Sequence, residues 1–292
     1  MLGMALPLQR AWLPGSGPVA WALDLFSHWQ PVHAALWLLA CLLGASGRRR
    51  WLLGLPFALL PWATASRMAA PAEGPAKLVV AAANVQRDNH DPAPLLAWLE
   101  RHPANLVVLT ELSPAYAEAL QRQAPARWRH RALHPQLSPP GLGVLSDRPL
   151  HDVRVLPDAL GALRIEADFL LDGIDVRLVA IHPKPPWSTR KHEARDRLLG
   201  DIAAVARARP VIVAGDTNAT PWSSALLATR ARGLARATGN WPTYPTEGGG
   251  IAGVAIDHIL VSPHFARVHA ERGPDIGSDH LPVRAGLRWR GE

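Results

Sequence analysis

Four apolar stretches of the 292-residue chain each end in a side chain that can bind a metal ion or contact a phosphate group. These stretches end at Asn84, at Glu111, at His182, and at the pair Asp216 and Asn218. One Asp or Asn after a strand is usually a turn former. The coincidence at all of these strand ends instead predicts a shared site, because loops that follow strands commonly carry functional groups.

A second group of titratable residues lies towards the C-terminus. Asp257 interrupts an otherwise apolar strand, and a lone buried carboxylate costs several kcal/mol unless it has a partner. His280 is the natural partner, because a carboxylate fixes the tautomer of an imidazole and raises its basicity. Asp279 reaches the same site only if the tetrapeptide 277–280 turns, which its glycine permits.

The combination of carboxylates, amides and imidazoles predicts phosphoryl chemistry. Oxygen ligands without cysteine suit Mg²⁺ or Mn²⁺ rather than structural zinc. Amides and imidazoles can donate hydrogen bonds to the oxygens of a phosphorus centre. The expected reaction is attack of water on phosphorus while a metal ion neutralises the developing charge. In an extended chain Asp216 and Asn218, two residues apart, would point the same way.

The elements that must position these residues alternate between strands and helices from Lys77 onward. Apolar runs and helical spacing predict strands at 77–84, 105–111, 141–146, 150–156, 163–171, 174–182, 210–216, 254–261 and 282–289, and helices after 91–92, at 113–124 and at 189–208. Adjacent strands flanked by helices predict two packed sheets with helices outside.

Residues 1–66 differ in composition from the rest and hold six of the twelve tryptophans. The uncharged stretches 31–47 and 51–66 are close to the lower limit of about 17 residues for a membrane-spanning helix, and 11–26 is a weaker third stretch. A cleaved signal peptide would have one apolar stretch only. The predicted domains are a membrane anchor of two or three short transmembrane helices at 1–66, a linker at 67–76 and a catalytic domain at 77–292.

Charge and composition narrow the class of protein. Arg48–Arg50 lie between the two better candidate spans, and positive loops stay in the cytoplasm, so the catalytic domain is expected outside a bacterial-type inner or plasma membrane. The net charge of +7 indicates an anionic partner: phosphate, nucleic acid or anionic lipid. One cysteine, 48% hydrophobic and 19% charged residues exclude a disulfide scaffold and a disordered chain.

Six motifs resemble the endonuclease/exonuclease/phosphatase superfamily. They are AANVQ at 82–86, LTEL at 109–112, IHP at 181–183, GDTNA at 215–219, IDHILVS at 256–262 and GSDHLPV at 277–283. The resemblance implies an α/β fold, a four-layer α/β/β/α sandwich of two mixed β-sheets, with the site where the sheets open. It also implies a metal-dependent phosphoric ester hydrolase, since the superfamily includes nucleases, inositol polyphosphate phosphatases and sphingomyelinases.

The resemblance further implies a role for each metal-binding and water-binding residue. Glu111 is implied as the main metal ligand, with Asn84 and Asp279 nearby. Asp216 is implied to orient or deprotonate the attacking water.

The remaining residues are implied to contact the substrate. Asn218 and His182 would touch the phosphate oxygens. His280, paired with Asp257, would stabilise the transition state or assist the leaving group. Tyr244 lies in a WPTYP segment that resembles one lining the family's cleft, where it would either touch substrate or only pack.

Three functions stay open on the sequence. Short N-terminal spans before such a domain resemble bacterial membrane proteins of the glycopeptide-resistance type, which implies a lipid-linked phosphate such as a polyprenyl pyrophosphate. A nuclease acting on extracytoplasmic nucleic acid is the second. An inactive membrane-anchored binding module is the third, and the full set of site residues argues against it. No feature of the sequence requires an obligate protein partner.

The nuclease alternative depends on basic surface and on exposed aromatic rings that could stack on bases. The basic residues concerned are Arg122, Arg127, Arg129, Arg131, Arg190, Lys191, Arg195 and Arg197. Only Trp128 and Trp187 are interleaved with them. The compact domain has no obvious insertion for gripping a duplex, and His182 and Pro183 stand where many apurinic endonucleases carry tyrosine, which argues against DNA repair.

Overall fold

The computed structural model describes residues 15–44, 47, 52, 54, 58–250 and 253–290, without the side chains of 230 and 231. The helices are α1 (Pro18–Ser27), α2 (Gln30–Gly44), α3 (Leu60–Thr64), α4 (Ala93–Arg101), α5 (Pro114–Gln123), α6 (Thr189–Val205) and α7 (Ser224–Ala231). The strands are β1 (Leu78–Asn84), β2 (Leu106–Thr110), β3 (His130–His134), β4 (Leu142–Ser146), β5 (His151–Pro157), β6 (Leu163–Leu171), β7 (Ile174–Ile181), β8 (Val211–Asp216), β9 (Ala235–Arg236), β10 (Asp257–Val261), β11 (Phe265–Arg272) and β12 (Val283–Trp289).

The strands form two six-stranded sheets, which confirms the predicted α/β fold with two mixed sheets. The first sheet has the order β11-β12-β1-β2-β4-β3, and the second has the order β5-β6-β7-β8-β10-β9. Each sheet contains one parallel pair, β1 with β2 and β7 with β8. The other described pairs are antiparallel.

Three apolar cores hold the layers together. The central core lies between the sheets and takes residues from both, including Val108 and Ile212. A second core packs α4 and α5 against the first sheet through residues such as Leu99. A third packs α6 and α7 against the second sheet through residues such as Leu199. The order of layers is therefore helix, sheet, sheet, helix.

Local sequence sets the starts of the helices that cover the sheets. The hydroxyl of Ser113 accepts a hydrogen bond from the backbone N–H of Tyr116 at the start of α5. Ser188 does the same for Lys191 at the start of α6. Such caps satisfy backbone donors that have no partner within the helix. These helices consequently begin where the sequence indicated.

Four elements were not predicted: β3, β9, β11 and α7. Strand β3 has the sequence HRALH, and all of its residues are only partly buried. Strand β11 carries charged residues at several positions and also lies at a sheet edge. Edge strands bury little apolar surface, so their sequences show weak alternation.

The predicted transmembrane helices are not seen in the described part of the chain. No helix there is both long enough and apolar enough to cross a bilayer. Helix α1 has 10 residues and α2 has 15, and a turn at 28–29 separates them. The predicted spans also extend over residues outside the description, namely 11–14, 45–46, 51, 53 and 55–57.

Helix α1 packs instead against the domain that carries the sheets. The indole N–H of Trp21 donates to the carbonyl of Pro186 at 2.8 Å, and the N–H of Gly17 donates to Glu193 at 2.9 Å. The segment 67–76, which composition indicates is a linker, runs along the sheets. Its Ala69 N–H donates to the carbonyl of Arg236 at 2.7 Å.

Candidate active site

The topology brings the carboxyl ends of four strands to one cleft. Asn84 ends β1 and Glu111 follows β2, which is parallel to it in the first sheet. His182 follows β7 and Asp216 ends β8, which form the parallel pair of the second sheet. Strand β10 runs antiparallel to β8, so its first residue, Asp257, lies opposite Asp216. The two sheets therefore contribute matching halves of the cleft.

Asn84 joins the two halves. Its amide Nδ2 lies 3.1 Å from Oε1 of Glu111 and 3.3 Å from Oδ2 of Asp216. The Nε2 atom of His182 lies 3.4 Å from the same Asp216 oxygen and 3.9 Å from Glu111 Oε1. One carboxylate of each sheet is thus held by an amide and an imidazole that reach both.

His280 and Asp257 form a buried pair on the other side of Asp216. The Nδ1 atom of His280 lies 2.8 Å from Oδ2 of Asp257, and its Nε2 lies 3.8 Å from Oδ2 of Asp216. The ring of Tyr244 lies 4.7 Å from the His280 ring, centroid to centroid. The hydroxyl of Thr243 accepts the backbone N–H of Asp257 at 3.2 Å. The pair is therefore fixed from several directions.

The tetrapeptide 277–280 turns, as the convergence of Asp279 and His280 requires. The hydroxyl of Ser278 donates to the carbonyl of Asn84 at 2.8 Å and accepts the N–H of His280 at 3.1 Å. The N–H of Asp279 donates to Oε1 of Gln86 at 3.2 Å. This turn ties the start of β12 to the end of β1.

Three supporting residues escaped the sequence reasoning: Gln86, Thr243 and Ser278. Each acts through a hydrogen bond to the backbone of a neighbouring site residue. Their only sequence signal is that each lies within or beside a motif that carries chemistry. A polar residue in such a loop is more often a turn former than a positioning group, so spacing alone does not single these residues out.

Asn218 reaches the cleft by a turn and not by extended geometry. Its φ is 48°, in the left-handed region that disfavours most residues but tolerates Asn. Its backbone N–H donates to Oδ1 of Asp216 at 2.8 Å, and its amide Nδ2 donates to the carbonyl of Pro183 at 2.9 Å. The expectation that Asp216 and Asn218 point the same way along a strand is wrong, because the strand ends at Asp216.

Burial and charge shift the protonation of the cleft residues in opposite directions. Burial disfavours the charged imidazole of His280, but the carboxylates of Asp257 and Asp216 outweigh it and raise the pKa of His280 to about 10. The pKa of His182 is also raised, since its hydrogen bond and charge interaction with Asp216 overcome burial. The pKa of Asp216 is lowered against burial by the same two imidazoles. Burial raises the pKa of Asp279.

The residues of the cleft fit a divalent cation. Four carboxylates (Glu111, Asp216, Asp257 and Asp279) face two imidazoles, so negative charge is in excess even when both rings are protonated. A bound cation would offset this charge. The side chain of Glu111 is 26% exposed, whereas that of Asp216 is 3% exposed. Oxygen donors of this kind suit a hard cation.

Two sets of residues could hold the ion. Glu111 is the accessible carboxylate, with Asn84 in contact with it and Asp279 close enough to feel its charge. Ligand atoms of Asp216, Asp257 and His280 also lie within 4.8 Å of one another. The Asp257–His280 hydrogen bond already occupies part of that second set. The first set is the easier one for an ion to reach, because Glu111 is the more exposed carboxylate.

Two parts of the predicted nucleic-acid surface are wrong. Arg195 is completely buried, where it donates to the carbonyl of Asn218 at 2.8 Å and to the carboxylate of Asp24 at 2.8 Å. Trp128 is also completely buried, with its indole N–H bonded to the carbonyl of Ala104 at 3.0 Å. Neither residue can contact a nucleic acid. Trp187, by contrast, is 75% exposed.

Two mixed sheets with a cleft of carboxylates, amides and imidazoles at their open edge, which fits a divalent cation, are the arrangement of a phosphoric ester hydrolase. A family model described as "Endonuclease/Exonuclease/phosphatase family" matches residues 81–280, which is more than half of the chain. The chain belongs to this family, whose enzymes typically depend on divalent metal ions. A search of curated proteins finds no match to the sequence.

Solved structures share the fold at low sequence identity. An endonuclease/exonuclease/phosphatase from Beutenbergia cavernae has a TM-score of 0.58 and 20% identity, covering 73% of this chain and 71% of that one. The 3′ phosphatase NExo from Neisseria, bound to a product DNA hairpin, has a TM-score of 0.57 and 18% identity over 73% of this chain and 100% of that one. A mannosyl-6-phosphatase from Bacteroides thetaiotaomicron has a TM-score of 0.57 and 15% identity over 73% and 100%.

Proposed function

We propose that the protein is a membrane-anchored hydrolase that uses Mg²⁺ or Mn²⁺ to cleave a phosphate ester or pyrophosphate linked to a lipid. One observation carries the hydrolase part: Glu111, Asp216 and His280 meet in one cleft with excess negative charge. The structural relatives include two phosphatases, which supports phosphate ester cleavage.

The metal ion belongs at the accessible end of the cleft. Glu111 would be its main ligand, with Asn84 and Asp279 beside it. When bound, the ion supplies a Lewis acid that neutralises charge on the phosphorus oxygens. Glu111 is held for this role by the backbone N–H of Arg87, which donates to its Oε2 at 3.2 Å.

Asp216 is the residue that prepares the attacking water. Its lowered pKa keeps the carboxylate ionised, so that it can accept a hydrogen bond or a proton from water. The N–H of Asn218 fixes Oδ1 at 2.8 Å, which leaves Oδ2 facing His182 and the cleft. The raised pKa of His182 favours the protonated ring, which can donate a hydrogen bond from Nε2 to a phosphate oxygen. Asn218 lies next to His182, because its amide Nδ2 donates to the carbonyl of the following residue, Pro183.

His280 is placed to stabilise the transition state or to assist the leaving group. Asp257 accepts a hydrogen bond from the Nδ1–H group of His280, so the Nε2 atom of the ring points at the cleft. The raised pKa keeps the ring protonated at neutral pH, and a charged donor binds an oxyanion more strongly than a neutral one. The ring of Tyr244 packs against this ring at an interplanar angle of 38°.

The surface of α2 supports the membrane part of the proposal. The helix carries no Asp, Glu, Lys or Arg. Its exposed face holds Val32, Leu36, Leu39, Leu42 and Leu43, whose exposure ranges from 45% to 80%. A surface helix normally shows polar residues to water. An apolar outer face of this kind suits contact with lipid.

The proposed location is an inner or plasma membrane, with the catalytic domain on the extracytoplasmic side. The basic run Arg48–Arg50 supports this orientation, because positive segments near a membrane stay in the cytoplasm. Protease added to spheroplasts should remove the catalytic domain. Full protection of that domain in intact spheroplasts, with cleavage after lysis, would reverse the orientation.

A substrate screen tests the function. The full chain with Mg²⁺ is offered a polyprenyl pyrophosphate, a phosphorylated sugar and plasmid DNA, with released phosphate and plasmid nicking as the readouts. We expect phosphate release from the lipid substrate and none with Glu111→Ala. Plasmid nicking that Glu111→Ala abolishes would replace the proposal with a nuclease, and metal binding without any hydrolysis would favour an inactive binding module.

A further inference from the structure

An apolar pocket of about 500 Å³ opens beside the cleft, between α1 and the loops that carry the site. Its volume falls within the usual range for small-molecule sites, about 300–1,000 Å³. Its apolar walls are formed by Trp21, Leu25, Trp29, Trp187, Val254 and Ile256.

The pocket is continuous with the cleft. Asn218 and Tyr244 line it. The backbone N–H of Asn218 donates to Asp216, and the ring of Tyr244 packs against the His280 ring, with the centroids 4.7 Å apart. A ligand in the pocket would therefore contact Asn218 and Tyr244, which themselves contact the proposed catalytic residues Asp216 and His280.

Helix α1 forms a fixed wall of the pocket. Its buried Asp24 pairs with the buried Arg195 of α6 at 2.8 Å. Trp21, on the same helix, is anchored by its bond to Pro186. These contacts make the α1 wall of the pocket part of the folded domain.

The lining decides the chemistry of the occupant. A sugar or a nucleobase needs hydrogen-bond partners at its edges, and loses affinity where none are offered. The polar side chains of the lining are His28, Asn218 and Tyr244. The Nε2 atom of His28 lies 3.5 Å from Asp24, Asn218 already donates to the carbonyl of Pro183, and Tyr244 packs against His280. Exposed tryptophan at Trp187 gives apolar surface that a hydrocarbon would cover.

We propose that this pocket binds the hydrocarbon chain of the substrate while its phosphate lies in the cleft. The inference rests on the proposed function and assigns the recognition of the lipid to α1 and the loop around Trp187. The substrate class is then an alkyl or prenyl phosphate, and not a phosphorylated sugar or a polynucleotide.

The first test compares methyl phosphate with octyl phosphate on the full chain in phospholipid nanodiscs. Each buried methylene can tighten binding up to about fourfold, so we expect a KM for octyl phosphate at least about 30-fold below that for methyl phosphate. Leu25→Asn should raise the KM for octyl phosphate about tenfold more than the KM for methyl phosphate.

Leu170→Asn is the matched control, because Leu170 lies on β6 away from the pocket and is 58% exposed. It should leave both KM values unchanged. Equal KM values for the two esters in the unaltered protein, or equal effects of Leu25→Asn on both, would overturn the pocket assignment while leaving the hydrolase intact.

A binding measurement separates the pocket from catalysis. Octyl phosphate should shift tryptophan emission to the blue without added metal, and methyl phosphate should not. Trp187→Phe should reduce the shift. This result with no hydrolysis of either ester would support the pocket and count against the proposed function. No difference in emission between the two esters would refute the pocket whatever the activity.

Discussion

Two clusters of buried charged residues lie next to each other and have different chemistry. The first is the cleft around Asp216. The second, which we term the α1 clamp, joins α1 to the catalytic domain and consists of Asp24, His192, Arg195, Asp196 and Ser224. Both contain carboxylates and histidine.

The clamp is closed by opposite charge. Arg195 donates through Nη2 to Asp24 and Asp196, each at 2.8 Å, and through Nη1 to the carbonyl of Asn218 at 2.8 Å. The N–H of Ser224 also donates to Asp24. The cleft instead has carboxylates in excess and an exposed Glu111. The comparison teaches that residue types do not distinguish a structural cluster from a ligand site, whereas charge balance and access do.

The largest expected effect is loss of the reacting groups of the cleft. Asp216→Ala and His280→Ala should each lower kcat/KM by at least about 100-fold, the range for acid–base and electrostatic groups. Steady-state kinetics on the lipid substrate measure this loss. His269→Ala, an exposed histidine on β11, serves as the control. If either cleft variant had the same kcat/KM as the unaltered enzyme, the role assigned to that residue would be wrong.

A second change tests whether Asp257 acts through His280. Asp257→Asn removes the carboxylate charge that raises the pKa of His280, so that pKa falls from about 10. Loss of the protonated form then occurs at lower pH, and the alkaline limb of the kcat/KM profile should move to lower pH, with a drop in rate of at least about tenfold at neutral pH. An unmoved alkaline limb would show that Asp257 has only a structural role.

Breaking the clamp should cost stability more than chemistry. Asp24→Ala leaves Arg195 with one carboxylate partner fewer in a buried site, and we expect a loss of about 3 kcal/mol in the free energy of unfolding. Activity should fall about tenfold or less through the contact of Arg195 with Asn218. Denaturant unfolding and kinetics measure the two effects. A loss of activity as large as that of Asp216→Ala would erase the distinction between the clusters.

The smallest effect is expected at the rim of the clamp. Glu193→Ala removes the acceptor for the N–H of Gly17 at the start of α1. A partly exposed hydrogen bond of this kind contributes about 0.5–1 kcal/mol, so the thermal midpoint should move slightly and kcat should not change. A shift matching that of Asp24→Ala would mean that the helix start, and not the ion pair, holds α1.

The strands that carry the cleft were readable because they are buried on both faces. Strands such as β1 and β8 are continuous apolar runs that stop at a polar residue, which makes both the strand and its end visible. Edge strands such as β3 were missed because half-exposed sequences resemble loops. The roles assigned to the cleft residues, among them Glu111 and Asp279 as metal ligands, stay predictions.

The N-terminal region shows where composition misleads. Asp24 lies in an apolar stretch that predicts a weak membrane span, yet its carboxylate is buried against Arg195. Arg195 was interpreted as basic surface because a sequence shows the charge of a residue but not its partner. The pairing joins positions 171 residues apart, so no local pattern could show it.

The sequence by itself determined the positions of the buried strands, the polar residues at their ends and the family that they resemble, because strand periodicity and strand ends are local properties. Only the tertiary structure decided which carboxylates are compensated, that α1 packs on the domain beside the cleft, and that an apolar pocket lies between α1 and the site loops. Those features depend on distances between residues far apart in the chain, and the physical consequence of a charge or an apolar ring depends on what surrounds it.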